Sequence, residues 1–172
     1  MKTLPLTISL FILTLLGAGA YYWFSTHQPA PEPTQPQYVS GVVYLVKVGD
    51  GAVTDTETFG CGDVLIGTEV RYLKNLGTIH GTIQSLLDNH QETNGTDQLR
   101  NALWQSTLQL DSVSTKDGVM TIALSGSVML GGECDGPRFV EQLQATANQA
   151  AGKDTVITIN NQPLATFQNL KG

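Results

Sequence analysis

Hydrophobic residues are unevenly distributed along the chain, and the first block of them is continuous. Leu4–Phe24 consists mostly of Leu, Ile, Phe, Ala and Gly, and no charged side chain occurs between Lys2 and Glu32. A helix of this length rises about 31 Å, which matches the hydrocarbon core of a bilayer. The run therefore predicts a transmembrane helix with Lys2 on the cytoplasmic side and the rest of the chain exported.

A cleaved signal peptide is the alternative interpretation of the same run. Ala18-Gly19-Ala20 fits the pattern of small residues at which such peptides are cut. Both interpretations place the folded part outside the cytoplasm. Four prolines follow within a short polar stretch, which favours a semi-extended linker. We therefore divide the chain into a membrane anchor or signal peptide (1–24), a Pro-rich linker (25–37) and a folded domain (38–172).

Short apolar or alternating segments in the folded part predict strands. Asp117-Gly118 lies between two such segments and indicates a tight hairpin, because both residues tolerate positive φ. The segments rich in β-branched and aromatic residues cover 42–48, 63–73, 108–113, 119–124 and 155–159.

Apolar residues at helical spacing predict two main helices. Thr78 is expected to cap the first, whose apolar stripe is Ile79, Ile83, Leu86 and Leu87. The second begins near Asp135 or Gly136 and stops at Gly152. Between them, Asp97 is expected to cap a short helical turn over Gln98–Trp104. The inner face of the second helix comprises Phe139, Val140, Leu143, Ala147 and Ala150.

This order of elements predicts an α+β fold. We expect a mixed or antiparallel sheet of four to five strands, with the two main helices packed on one of its faces. The transmembrane helix would precede this domain.

Composition and charge narrow the function classes. The 172 residues carry a formal charge of −6, and only 14% of them are charged. A nucleic-acid binder needs a basic face that neutralises phosphates, so nucleic acid is excluded as a partner. The acidic domain should also avoid an anionic membrane surface, which leaves the N-terminal helix as the expected membrane contact.

The two cysteines, Cys61 and Cys134, both lie in Gly-rich loops. In an exported domain two distant cysteines most often form a disulfide, and we expect one here. The rival interpretation is a reactive thiol at Cys134, near the start of a helix. Glu133 and Asp135 flank that thiol and oppose the lowering of its pKa that reactivity requires.

No other constellation in the sequence indicates catalysis, a cofactor or a metal. His80 and His90 are too far apart on one helix to bind a single metal ion, and His27 falls in the linker. Asp50 and Asp55 are loop acids without the full calcium-loop pattern. Nucleophile-elbow, phosphate-loop and dinucleotide motifs are all absent. We therefore predict no catalytic, cofactor-binding or metal-binding residues.

Three stretches together resemble the sporulation and spore-germination GerMN domain family of bacterial cell-envelope proteins. The resemblance covers about residues 40–165 and implies a compact, non-catalytic α+β module, of which this chain carries a single copy. Its expected role is interaction in the envelope, with an unknown envelope protein or by self-association. The alternative is a domain that binds or hydrolyses cell-wall glycan, with its site in the loops around the two cysteines and Arg138. The three stretches are Cys61–Asp63, Ala102–Gly126 and Gly132–Leu164.

Overall fold

The computed structural model of the chain describes residues 21–23, 35–49 and 58–168. The chain divides into two units, Met1–Gln35 and Pro36–Gly172, and the elements named below belong to the second. Short 3-10 helices cover Lys74–Leu76 and Leu164–Phe167. The described strands and α-helices are β1 (Tyr38–Lys47), β2 (Val64–Leu73), α1 (Thr78–Leu87), β3 (Thr93–Asn94), β4 (Leu99–Arg100), β5 (Thr107–Lys116), β6 (Val119–Ser127), α2 (Asp135–Ala151), β7 (Thr155–Ile159) and β8 (Gln162–Pro163).

The strands form two sheets of four, and the prediction of one sheet of four to five strands is wrong. The first sheet has the order β2-β1-β4-β3, and the second has the order β5-β6-β7-β8. β1 and β2 pair in antiparallel register along their full length. In the second sheet β6 and β7 are parallel, with α2 as the crossover between them. The α+β class holds, but the architecture differs from the prediction.

Helix α2 explains why the first sheet does not continue into the second. The Tyr44 N–H of β1 donates a hydrogen bond to Thr146 Oγ1 of α2 at 2.9 Å. Beyond β4, the Ala102 N–H donates to Gln142 Oε1 of the same helix at 2.8 Å. Side chains of α2 therefore satisfy backbone groups that would otherwise pair with another strand.

The helices bridge the two sheets instead of covering one face of one sheet. α1 contacts β1, β2 and β5, α2 contacts β1 and β7, and the helices contact each other. Phe139 is fully buried at the centre of the shared apolar core. Other buried members of this core are Val43, Leu45, Ile83, Leu86, Leu103, Ile122, Leu124, Leu143, Ile157 and Ile159.

Helix α1 confirms the predicted apolar stripe but begins differently. Its N-cap is Gly77, at φ 75°, and no side chain caps the helix, so the prediction that Thr78 caps it is wrong. Gly81 lies against the Tyr72 ring of β2, and a Cβ at this position would overlap that ring. This close approach explains a glycine inside a helix, where it weakens helix formation by about 1 kcal/mol.

Two turn predictions are confirmed. Asp117 and Gly118 have φ angles of 51° and 81°, as a primed hairpin turn between β5 and β6 requires. Gly152 ends α2 at φ 66°, which is the left-handed conformation of a helix C-terminus. Both positions need a backbone with positive φ, which few residue types adopt readily. The sequence alone therefore identifies them.

The predicted helical turn over Gln98–Trp104 is wrong. Strand β4 occupies its start, and Gln98 has a φ of 52°. Asn101 is fully buried, and its side chain donates to the Asn89 carbonyl at 2.5 Å and accepts from the Leu103 N–H at 3.0 Å. Such bonds from a short amide side chain to the backbone compete with helix formation.

The prediction of a transmembrane helix is also corrected. None of the helices formed by the described residues is both long and apolar enough to cross a bilayer. Tyr21–Trp23 is helical, whereas the remainder of the predicted anchor lies outside the described residues. The linker residues 25–34, His27, Asp50 and Asp55 also lie outside them.

Candidate functional site

The structure brings the two cysteines together. Cys61 lies in the connection that precedes β2, and Cys134 is the residue before α2. Their Cα atoms are 5.8 Å apart and their sulfur atoms are joined, a separation within the range that disulfides adopt. The adjoining loops also contact each other, because Gly60 lies against the Pro137 ring.

Beside the cysteines, Asp63 and Arg138 form a two-pronged ion pair. Arg138 Nε donates to Asp63 Oδ2 at 2.7 Å, and Nη2 donates to Oδ1 at 3.0 Å. Asp63 is fully buried, and its Oδ1 also accepts the Gly49 N–H at 2.9 Å. This one carboxylate therefore ties together the end of β1, the start of β2 and the first turn of α2.

Asp135 continues the ion-pair network. Its Oδ1 accepts from Arg138 Nη1 at 3.3 Å, and its Oδ2 accepts from Arg100 Nη2 at 3.1 Å and from the Gly131 N–H at 2.9 Å. Arg100 reaches outward to a second carboxylate, that of Glu92. We call Asp63, Glu92, Arg100, Asp135 and Arg138 the charged cluster.

The charged cluster keeps its central guanidinium ionised. Hydrogen bonding to Asp63 raises the pKa of Arg138 above its already high ordinary value, and the charges of Asp63 and Asp135 act in the same direction. Burial of the side chain opposes the shift but is the smaller effect. Arg138 is therefore a permanent cation between two carboxylates at any physiological pH.

This arrangement is suited to holding loops together. Each buried carboxylate, Asp63 and Asp135, accepts hydrogen bonds from arginine and from a backbone N–H, so both charges are neutralised within the protein. General acid–base chemistry needs a carboxyl group that can reach a substrate, and these two are 0% and 5% exposed.

Sequence reasoning placed Arg138 near the cysteines but missed its two carboxylate partners and Arg100. A usable signal was present, since an acidic residue follows each cysteine within two positions, at Asp63 and Asp135. Arg138 lies one turn into the helix that begins at Asp135, on the side where both acids meet. The contribution of Arg100 depends on β4, which the sequence did not reveal.

His80 and His90, the two histidines that the structure describes, do not assemble into a site. His80 is exposed on α1, while His90 Nδ1 lies 3.2 Å from the Trp104 carbonyl oxygen. Within residues 21–23, 35–49 and 58–168, no three His, Cys, Asp or Glu side chains are grouped as a metal site requires.

A comparison with known protein families identifies the family to which the chain belongs. A family model described as "Germane: Sporulation and spore germination" matches residues 42–165. The chain belongs to the Germane family. The match confirms the family resemblance in the sequence and spans both sheets, both helices and the charged cluster of this Germane domain.

Two further comparisons add little to the family assignment. A crystal structure of a "Putative Lipoprotein from Clostridium perfringens" is 16% identical to the Germane chain, over 78% of this chain and 82% of that one. Its TM-score is 0.37. The curated proteins contain no match to the chain.

Proposed function

We propose that this Germane chain is a non-catalytic, extracytoplasmic interaction module of the bacterial cell envelope. The observation that carries the proposal is the charged cluster. Asp63, Asp135 and Arg138 lie beside the cysteine loops, and Arg138 binds both carboxylates. These charged side chains therefore hold the loops of the domain together. We expect the functional surface among the exposed residues of the fold.

The cysteine geometry supports an extracytoplasmic location. Structural disulfides persist in oxidising compartments and are rare in the cytosol. The close approach of Cys61 and Cys134 fits such a bond. The apolar run that follows Lys2 independently favours export.

The charged cluster also weakens the alternative of a glycan-binding or glycan-hydrolysing site around Cys61, Cys134 and Arg138. The Arg138 side chain is only 12% exposed, and its Nε, Nη1 and Nη2 atoms all donate to carboxylates. A sugar would have to displace a two-pronged ion pair to reach this guanidinium.

A binding comparison with the purified full chain tests the proposal. We expect no specific retention on isolated cell-wall material and no turnover of cell-wall glycan, together with saturable binding to an envelope protein. An Arg138→Lys variant serves as the matched control, since it keeps the charge and loses the two-pronged geometry. The proposal would be contradicted if the wild type turned over cell-wall glycan and the Arg138→Lys substitution abolished that turnover.

A further inference from the structure

The second sheet ends at β5, whose outer edge has no neighbouring strand among the described residues. β5 is ten residues long and pairs only with β6. An edge of this length presents a row of backbone N–H and C=O groups that can pair with another strand.

The first half of this edge forms one wall of a groove. A cavity of about 400 Å³ is lined by Gln84, Leu87, Asp88 and His90 at the end of α1, and by the four consecutive residues Thr107–Leu110 of β5. Successive side chains of a strand point to opposite faces, so a cavity that touches four in a row runs along the backbone edge. The groove therefore lies beside the edge to which a strand would add.

The second half of β5 has the opposite character. Residues 112–116, the projecting half, are all exposed and form one arm of the hairpin that turns at Asp117-Gly118. Val113, 37% exposed, faces Ile122 across the hairpin. A β-bulge between Leu110 and Ser112 separates the projecting half from the half beside the groove. One half of the strand is thus a groove wall, and the other half is an uncovered strand.

These two halves are complementary, and we infer that β5 pairs antiparallel with β5 of a second copy of the chain. This inference rests on the proposed interaction role and names the partner. A two-fold axis near the bulge places the projecting half of each copy along the groove of the other. In that register Leu110 faces Val113 of the second copy, Gln109 faces Ser114, and Thr107 faces Lys116.

The side chains agree with this register. Leu110 and Val113 pair within their own hairpin with Leu124 and Ile122, which are buried core residues. They therefore lie on the same face of the sheet, and facing residues of paired strands share a face. The pairing would cover Val113 with Leu110 of the second copy.

Charge is complementary at the ends of the paired segment. Lys116 is exposed and would lie opposite Thr107, at the mouth of the groove whose rim carries Asp88. The copy related by the two-fold axis repeats this contact. Two Lys–Asp pairs would thus close the ends of the paired segment. Its other charged residue, Asp111, lies in the bulge, where its Oδ1 accepts a hydrogen bond from Ser125 Oγ of β6 at 2.7 Å.

β2 is the other long free edge, and the two strands carry two charged residues each: Glu69 and Arg71 on β2, Asp111 and Lys116 on β5. The number of charges therefore does not distinguish the two edges. β5 differs in the half beyond its bulge, which is exposed throughout and carries no charge from Ser112 to Thr115.

Position-specific crosslinking of the full chain tests the register. In a Gln109→Cys/Ser114→Cys variant the new thiols lie five residues apart within one chain, about 17 Å along a strand, and cannot join each other. Mild oxidation should link position 109 of one copy to position 114 of another in most molecules. An Arg71→Cys variant, on the β2 edge, is the matched control for chance collision. Equal dimer yield in both variants, or no 109–114 link by mass spectrometry, would overturn the inference.

A charge exchange provides a second readout that does not depend on cysteines. Lys116→Asp and Asp88→Lys alone should each weaken self-association about three- to ten-fold by sedimentation, and the double variant should recover most of the loss. Asp88 ends α1, where a lysine is compatible with the helix dipole, so folding should be retained. Loss without recovery would overturn the inference. Envelope-protein binding without β5 dimers would overturn this inference alone, and absence of both would overturn the proposed function as well.

Discussion

At the scale of single residues, the structure depends on a buried carboxylate. Asp63 is fully buried, and its two oxygens accept one backbone and two guanidinium hydrogen bonds. Removal of one member of a buried ion pair leaves the other charge without compensation, which is more costly than loss of the pair as a unit. Asp63 should therefore be far more sensitive to substitution than the exposed acid of the same cluster.

We predict that Asp63→Ala lowers the free energy of unfolding by about 3–5 kcal/mol. In this variant Arg138 loses the carboxylate that it binds through two hydrogen bonds, and the Gly49 N–H loses its acceptor. Glu92→Ala is the matched control, since Glu92 is 45% exposed, and it should cost less than about 1 kcal/mol. Urea denaturation of both variants measures the difference. Similar losses for the two would contradict the structural role of the charged cluster.

At the scale of elements, the predictions that the structure confirms are those determined locally. The hairpin at Asp117-Gly118, the end of α2 at Gly152 and the apolar stripe of α1 all depend on backbone sterics or on periodicity within one segment. The division into two sheets depends on contacts distant in sequence, such as the bond between Tyr44 and Thr146, 102 residues apart. No local pattern contains that information. The contact between Arg100 and Asp135 was missed for the same reason, because it depends on the position of β4.

The contact between α1 and β2 gives a prediction at this scale. Gly81→Ala should lower the free energy of unfolding by about 1–3 kcal/mol, although alanine favours a helix, because the added Cβ overlaps the Tyr72 ring. In a Tyr72→Ala background the ring is gone, and the same substitution should be neutral or stabilising by up to about 1 kcal/mol. Thermal denaturation of the four proteins in this cycle measures the coupling, and additive effects would contradict the packing described.

At the scale of the whole molecule, two cross-links close the same region of the fold. The charged cluster and the cysteines both join the segment before β2 to the start of α2, across a sequence separation of 73 residues at the cysteines. A disulfide stabilises chiefly by restricting the unfolded chain, and a long enclosed loop increases the effect.

We predict that the chain isolated under native conditions has no free thiol. Alkylation should add no mass before reduction and should modify Cys61 and Cys134 after it. A Cys61→Ala/Cys134→Ala variant should be about 2–5 kcal/mol less stable than the oxidised wild type. Two alkylated cysteines in native, unreduced protein would contradict both the disulfide and the extracytoplasmic location that it supports.

The central claim is that the molecule acts by binding through an exposed surface. Photo-crosslinking in intact cells tests it most directly, with the reactive residue placed in the full chain at Gln109 on β5 or, as a control, at Arg71 on β2. The account predicts a discrete product from position 109, with a second copy or an envelope protein, and none from position 71. The absence of a product at position 109, or identical products at both positions, would contradict it.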